Sequence, residues 1–201
     1  MTGIVDYGTG NLRSVQKAFE FLGERAEISS ETSALDTCDR LILPGVGSFG
    51  QGMAALRARG LDIYVKTRAK DTPVLGICLG MQFLLERSFE DGENAGLGFC
   101  RGDVVRFSSG KVPQIGWNSV FSLRSPLFEG LEEGSEFYFV HSYYAAAGDF
   151  DTMAKCEYGV RYAAAVWNGQ NVYGVQFHPE KSGDAGLRLL KNFLSVKGVK
   201  A

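Results

Sequence analysis

Through the first third of the chain, short and wholly apolar runs alternate with segments of helical period. Ile4-Val5 leads into the turn-rich Asp6-Tyr7-Gly8-Thr9-Gly10-Asn11, after which Leu12, Val15, Phe19 and Leu22 recur at helical spacing with Ala18 on the same face. That period predicts a helix stopped at Gly23. Ala26-Glu27-Ile28 predicts a weak second strand, Leu41-Ile42-Leu43 a buried one, and Pro73-Val74-Leu75-Gly76-Ile77 another, with a helix from about Phe49 between the last two. Strands apolar on both faces and separated by helices imply a parallel sheet covered on each side.

The pattern changes between residues 98 and 165. Strand signals crowd together at Val104 to Phe107, Gly116 to Phe121, Phe137 to Tyr144 and, more weakly, Tyr162 to Val166, with no long helical segment between them. This predicts an antiparallel β subregion inserted in or appended to the α/β core. Val172 to Phe177 supplies a late strand, and a last helix places Leu187, Leu190 and Leu194 on one face. The expected fold is a three-layer α/β sandwich: a mostly parallel central sheet covered by helices, plus the antiparallel subregion. With no repeat, low-complexity tract or linker, residues 1–201 are expected to form one domain.

Composition narrows the classes of function. A length of 201 residues, 45% hydrophobic and 22% charged, with formal net charge −2, describes a soluble globular chain. No basic stripe suggests nucleic acid or an anionic membrane. No secretory leader is readable, nor a run of about 18 apolar residues, so the cytoplasm is the expected compartment. Cys38, Cys78, Cys100 and Cys156 show neither a C-x-x-C pair nor a disulfide framework. Only two histidines exist, His141 and His178, and neither sits at a recognised metal spacing, so no metal or cofactor is expected.

The strongest chemical signal is Gly76-Ile77-Cys78-Leu79-Gly80, set after a buried strand and before an expected helix through Met81-Gln82-Phe83-Leu84-Leu85-Glu86. This is a G-x-nucleophile-x-G elbow with cysteine in place of serine. The sharp turn lifts the side chain out of the sheet, and a sulfur at a helix start meets free N–H groups that favour the thiolate. Phe177-His178-Pro179-Glu180 supplies a base, with a carboxylate two residues on that can hold the ring in its working tautomer. Both motifs follow strands, and parallel sheets gather their sites at carboxyl ends. His141 lacks a carboxylate at comparable spacing and reads as a wall or core residue. Pro44-Gly45-Val46-Gly47 offers backbone N–H groups suited to an oxyanion hole, though alone it is an ordinary turn signal. Gly8-Thr9-Gly10 lacks the third glycine of a dinucleotide site. These residues together imply acyl transfer by a Cys-His-Glu set, chemistry that amidases, thiol peptidases and esterases share.

The elbow with its following Met81-Gln82, together with His178-Pro179-Glu180, resembles the class I (triad) glutamine amidotransferase family. Asp6 to Val15, Gly116-Trp117-Asn118, Tyr138 to Tyr143 and Glu180-Lys181-Ser182 extend the likeness over essentially the whole chain. The resemblance implies Cys78 as nucleophile, His178 as base and Glu180 as its orienter. It implies Leu79 and Val46 as oxyanion donors, and Gly47, Gln82, Ser142 and Tyr143 as the glutamine pocket. It further implies that ammonia passes to a separate (β/α)8-barrel cyclase subunit in histidine biosynthesis or, alternatively, to a nucleotide-sugar enzyme of surface glycan synthesis. Asn11, Trp117, Tyr138 and Lys181 would then line the subunit interface. From patterning alone, Trp117 and Tyr138 read equally well as core aromatics.

Overall fold

The computed structural model describes residues 1–199; Lys200 and Ala201, the end of the expected domain, lie outside the described residues. Five strands lie side by side and all parallel, in the order Ala26–Ser29, Thr2–Val5, Arg40–Leu43, Val74–Ile77, Val172–Val175. Alternation along these strands divides the core in two. Ile4, Ile42, Leu75, Ile77, Tyr173 and Val175 face a layer built by Val15 and Phe19 of helix Leu12–Phe21 and by Leu189, Leu190 and Phe193 of helix Gly183–Ser195. Val5, Leu41, Leu43, Val74 and Val172 face the opposite layer, with Phe49, Met53 and Leu56 of helix Phe49–Ala58 and Leu61 and Val65 of helix Leu61–Arg68. The three layers anticipated from the apolar runs are therefore present. No helix among the described residues is long and apolar enough to cross a membrane.

Beyond Val172–Val175 the sheet turns antiparallel through Arg161–Trp167, Tyr143–Ala147 and Gly102–Arg106. Thr152–Glu157, Gln114–Phe121 and Ser135–His141 branch off it as a further antiparallel set. The run expected from Phe137 to Tyr144 is two strands, broken at Ser142 where the chain changes partners. Ser135–His141 pairs with Gln114–Phe121, whereas Tyr143–Ala147 pairs with Gly102–Arg106.

Two expectations need correction. The helix after the elbow spans only Leu79–Gln82 and does not run on through Glu86. The carbonyls of Phe83, Leu84 and Leu85 are taken instead by the amides of Leu97, Cys100 and Gly98, so a returning loop replaces the helical ladder. In the last helix the buried stripe is Gly186, Leu189, Leu190 and Phe193, with Leu187 and Leu194 only partly buried at its flanks. The i, i+3, i+4, i+7 stripe is shifted by a fraction of a turn from the one leucine spacing suggested.

Candidate active site

Three neighbouring parallel strands end at one place. Leu43 leads into Pro44-Gly45-Val46-Gly47, Ile77 into Cys78, and Val175 into Gln176-Phe177-His178. Register brings them level: Leu43 lies beside Gly76, and Val175 beside Ile77. Residues far apart in sequence thus meet at the carboxyl edge, where such sheets place their sites.

Cys78 occupies the elbow with φ 55° and ψ −112°, a region that non-glycine residues rarely enter. Close backbone packing enforces the bend. A Cβ on Gly80 would stand 1.7 Å from the Leu43 carbonyl oxygen, so only glycine lets the turn press against the neighbouring strand. The Leu79 N–H, first in its one-turn helix, has no intrahelical acceptor. A four-residue helix has little macrodipole.

His178 is 2% exposed, and its Nδ1 lies 2.8 Å from Glu180 Oε1. A carboxylate can only accept, so Nδ1 carries the proton and Nε2 is the nitrogen left without a protein partner. Nε2 is buried with no hydrogen-bond partner, and it shares a cavity of about 340 Å³ with Cys78. Burial opposes charge on the ring, but the Cys78 sulfur and the Glu180 carboxylate outweigh it and raise the His178 pKa to about 10. Asn11 Nδ2 donates to Glu180 Oε1 at 3.5 Å, so this expected interface residue also touches the carboxylate.

Val46, Gly47, Leu79, Gln82, Ser142 and Tyr143, all expected around the substrate, line the same cavity. The two loop glycines differ. A Cβ on Gly45 would meet the Tyr7 hydroxyl at 2.7 Å and Leu79 Cβ at 2.8 Å, whereas Gly47 (φ +99°) has open space. Tyr7 Oη also donates to the Pro44 carbonyl at 2.8 Å. The loop is therefore tightly packed at its start and has open space around Val46 and Gly47.

His141 also lines the cavity, in the opposite state. It is 7% exposed, and its Nδ1 is 2.8 Å from the Tyr143 carbonyl. Burial lowers its pKa to about 4 despite that bond, and the charge on His178 adds to the effect. The wall role expected of it fits a neutral ring. The remaining cysteines are buried free thiols; burial pushes Cys38 and Cys156 up and Cys100 up to about 12. Among the described residues, no three His, Cys, Asp or Glu side chains are grouped to hold a metal ion.

Two polar residues at the site, one in the cavity wall and one behind it, were not anticipated from the sequence. Glu90 lines the pocket and accepts from the Phe49 N–H at 2.6 Å, and burial pushes its carboxyl up. It lies in a loop whose position only tertiary packing sets. Gln176 is wholly buried and hydrogen-bonded to both Gln82 and Cys78. Its signal was available, as a lone amide in an otherwise apolar strand run two residues before His178.

The expected interface residues extend outward from the triad. Lys181 Nζ lies 6.0 Å from the centre of the Tyr138 ring, and Tyr138 meets Trp117 edge-on at 6.2 Å. Trp117 is 55% exposed and is therefore not a core aromatic.

Residues 4–196 match the family described as glutamine amidotransferase class-I. The imidazole glycerol phosphate synthase subunit HisH of Sulfurimonas denitrificans is 47% identical over 208 residues, covering 100% of both chains. Its namesake in Rhodopirellula baltica is 48% identical over 98% of each chain. That of Methanocaldococcus jannaschii is 46% identical over 98% of this chain and 100% of its own. A solved glutamine amidotransferase and the structure of PurLQS from Thermotoga maritima each superpose with a TM-score of 0.77 at 23% identity, over 96% of this chain and 97% of theirs. At that identity the structures speak for the fold, while the family match and the relatives carry the assignment: the chain belongs to the class-I glutamine amidotransferases.

Proposed function

We propose that this chain, as one domain in the cytoplasm, is the glutaminase subunit of an imidazole glycerol phosphate synthase and passes ammonia to a (β/α)8-barrel cyclase subunit. The observation that carries the chemistry is the convergence of Cys78 and His178 on one cavity at the ends of adjacent strands, with Glu180 on the far side of the histidine ring, hydrogen-bonded to its Nδ1. The pathway rests on full-length relatives at 46–48% identity that bear that subunit's name.

The Cys78 sulfur attacks the side-chain amide carbon of glutamine, and the carbonyl electrons move onto oxygen. The Leu79 N–H meets this oxyanion together with the Val46 N–H, once the open part of the 44–47 loop presents it. His178, protonated and held by Glu180, gives its proton to the departing nitrogen, and ammonia leaves behind a γ-glutamyl thioester. Water, deprotonated by His178, then cleaves the thioester to glutamate and restores the sulfur. Gln82, Gly47, Ser142 and Tyr143 hold the amino-acid end of the substrate, and the Glu90 carboxylate supplies a counter-charge for its ammonium. Asn11, Trp117, Tyr138 and Lys181 form the docking face. Through Asn11 and Glu180 that face touches the triad, which suits an activity switched by the loaded partner.

The test is glutamate release from glutamine by this chain mixed with the cyclase of the same organism and its ribonucleotide substrate. Substrate-stimulated release that disappears in Cys78→Ala is the expected result. No stimulation in a mixture that forms a complex would overturn the histidine-pathway reading and redirect attention to a nucleotide-sugar partner.

A further inference from the structure

Gln176 follows the strand Val172–Val175, and parallel register sets Val175 beside Ile77, which brings Gln176 next to Cys78. The side chain is 0% exposed. An amide so buried must spend its polar atoms on protein. Its Oε1 accepts from Gln82 Nε2 at 3.0 Å, and its Nε2 donates to Cys78 Sγ at 3.8 Å.

The direction of this chain of bonds is forced. The Tyr143 carbonyl can only accept, so Gln82 turns its NH2 group toward it, at 2.9 Å. That NH2 spends its second hydrogen on Gln176 Oε1, which leaves the NH2 of Gln176 toward the sulfur. Gln82, with both hydrogens committed, offers the cavity only its Oε1. The reverse orientation would set its oxygen against the Tyr143 carbonyl, two acceptors face to face, and would break the bond to Gln176 as well.

We propose that Gln176 is a positioning residue: its amide locks Gln82 with the oxygen toward the substrate and supplies an N–H to the Cys78 sulfur. The inference rests on the glutaminase reading of the site. A locked acceptor selects a ligand that brings a donor, such as the ammonium of an amino acid, and disfavours one that brings only acceptors. The N–H to sulfur favours the anion over the thiol, because hydrogen bonds to a charged acceptor are the stronger ones. The two roles share one side chain, yet they fail differently when it is changed.

The experiment uses the complex with the cyclase and compares hydrolysis of glutamine with that of glutaramate, which carries the same amide but no α-ammonium. Gln176→Met keeps the length and removes both hydrogen bonds. Loss of the lock should lower kcat/KM for glutamine about tenfold more than for glutaramate, with a raised KM for glutamine. Both substrates are read on one preparation, so partial misfolding leaves their ratio unchanged. Equal losses for the two substrates would overturn the lock.

Gln176→Glu isolates the second role and keeps the test open if the methionine variant does not fold. A protonated carboxyl can accept from Gln82 and donate to sulfur, whereas a carboxylate can only accept. Alkylation of Cys78 by iodoacetamide, relative to wild type, should therefore recover roughly tenfold between about pH 9 and about pH 6. Cys78, His178, Glu180, Glu90 and His141 face the site in both proteins, and the wild-type profile supplies the reference for their own titration. A ratio flat with pH would overturn the contact to sulfur. A wild-type complex that fails to hydrolyse glutamine would overturn the glutaminase reading itself.

Discussion

The parallel and the antiparallel halves of the sheet each bring one histidine to the same cavity, and they hold them in opposite states. Both rings hydrogen-bond through Nδ1 to an oxygen at 2.8 Å and both are nearly inaccessible. The difference is the charge of the acceptor and of the neighbours. At the parallel strand end, Glu180 and the Cys78 sulfur raise His178 to about 10. On the antiparallel wall, His141 has only the Tyr143 carbonyl and the Tyr162 hydroxyl, the latter 3.3 Å from Nε2, and burial lowers it to about 4. Burial alone makes a histidine structural; burial with a carboxylate and a sulfur makes it an acid–base group. The same division holds more widely. Parallel strands covered on both faces carry Cys78 and His178 at their ends, while Ser135–His141 and Gln114–Phe121, buried mainly on one face, turn His141 to the cavity and Trp117 outward.

Exchanging the histidines for a neutral isostere is the strongest way to break this comparison. His178→Asn should cost glutamine hydrolysis about 10⁴-fold in kcat, whereas His141→Asn should cost less than about tenfold. Similar losses in steady-state assays of the complex would mean that the wall histidine also carries protons.

Rigidity of the parallel edge is tested next. Gly80→Ala pushes a methyl group into the Leu43 carbonyl, and urea unfolding should show a loss of about 3 kcal/mol or more. Gly47→Ala, in open space but at φ +99°, should lose only about 1 kcal/mol.

Acid sensitivity sharpens the contrast from the other side. The folded pKa of His141 lies below its unfolded value of 6.5, so the folded state resists a proton that the unfolded chain takes up. Stability is therefore intact above pH 6.5 and declines as pH falls toward 4, by about 3 kcal/mol from this residue. His141→Gln should flatten that decline in unfolding measured across the same window. An unchanged slope would assign the acid lability elsewhere.

The last contrast concerns the outer face. Trp117→Ala should weaken cyclase binding about 30-fold, or about 2 kcal/mol by calorimetric titration, as an exposed aromatic anchor would. An unchanged Kd would remove the antiparallel strands from the docking face.

Much of this arrangement was legible in the chain, for identifiable reasons. Wholly apolar runs such as Leu41 to Leu43 and Val74 to Ile77 announce strands buried on both faces. The elbow and His178-Pro179-Glu180 are legible because their geometry is local: a turn of five residues and an i, i+2 pair. Glu90 was not, since a loop residue reaches the cavity only through tertiary packing. The helix expected through Glu86 failed because an apolar run says nothing about which carbonyls a distant loop will claim. Gln176 shows the intermediate case, where polarity within an apolar strand marks a buried partner without naming it.

The central claim is that Cys78 becomes acylated by the glutamine side chain. Rapid acid quenching of the cyclase complex during turnover, followed by mass analysis of the Cys78 peptide, tests it directly. A γ-glutamyl adduct on Cys78 should accumulate during turnover and be absent in Cys78→Ala. Glutamate release that continues in Cys78→Ala, or an adduct on another residue, would contradict it.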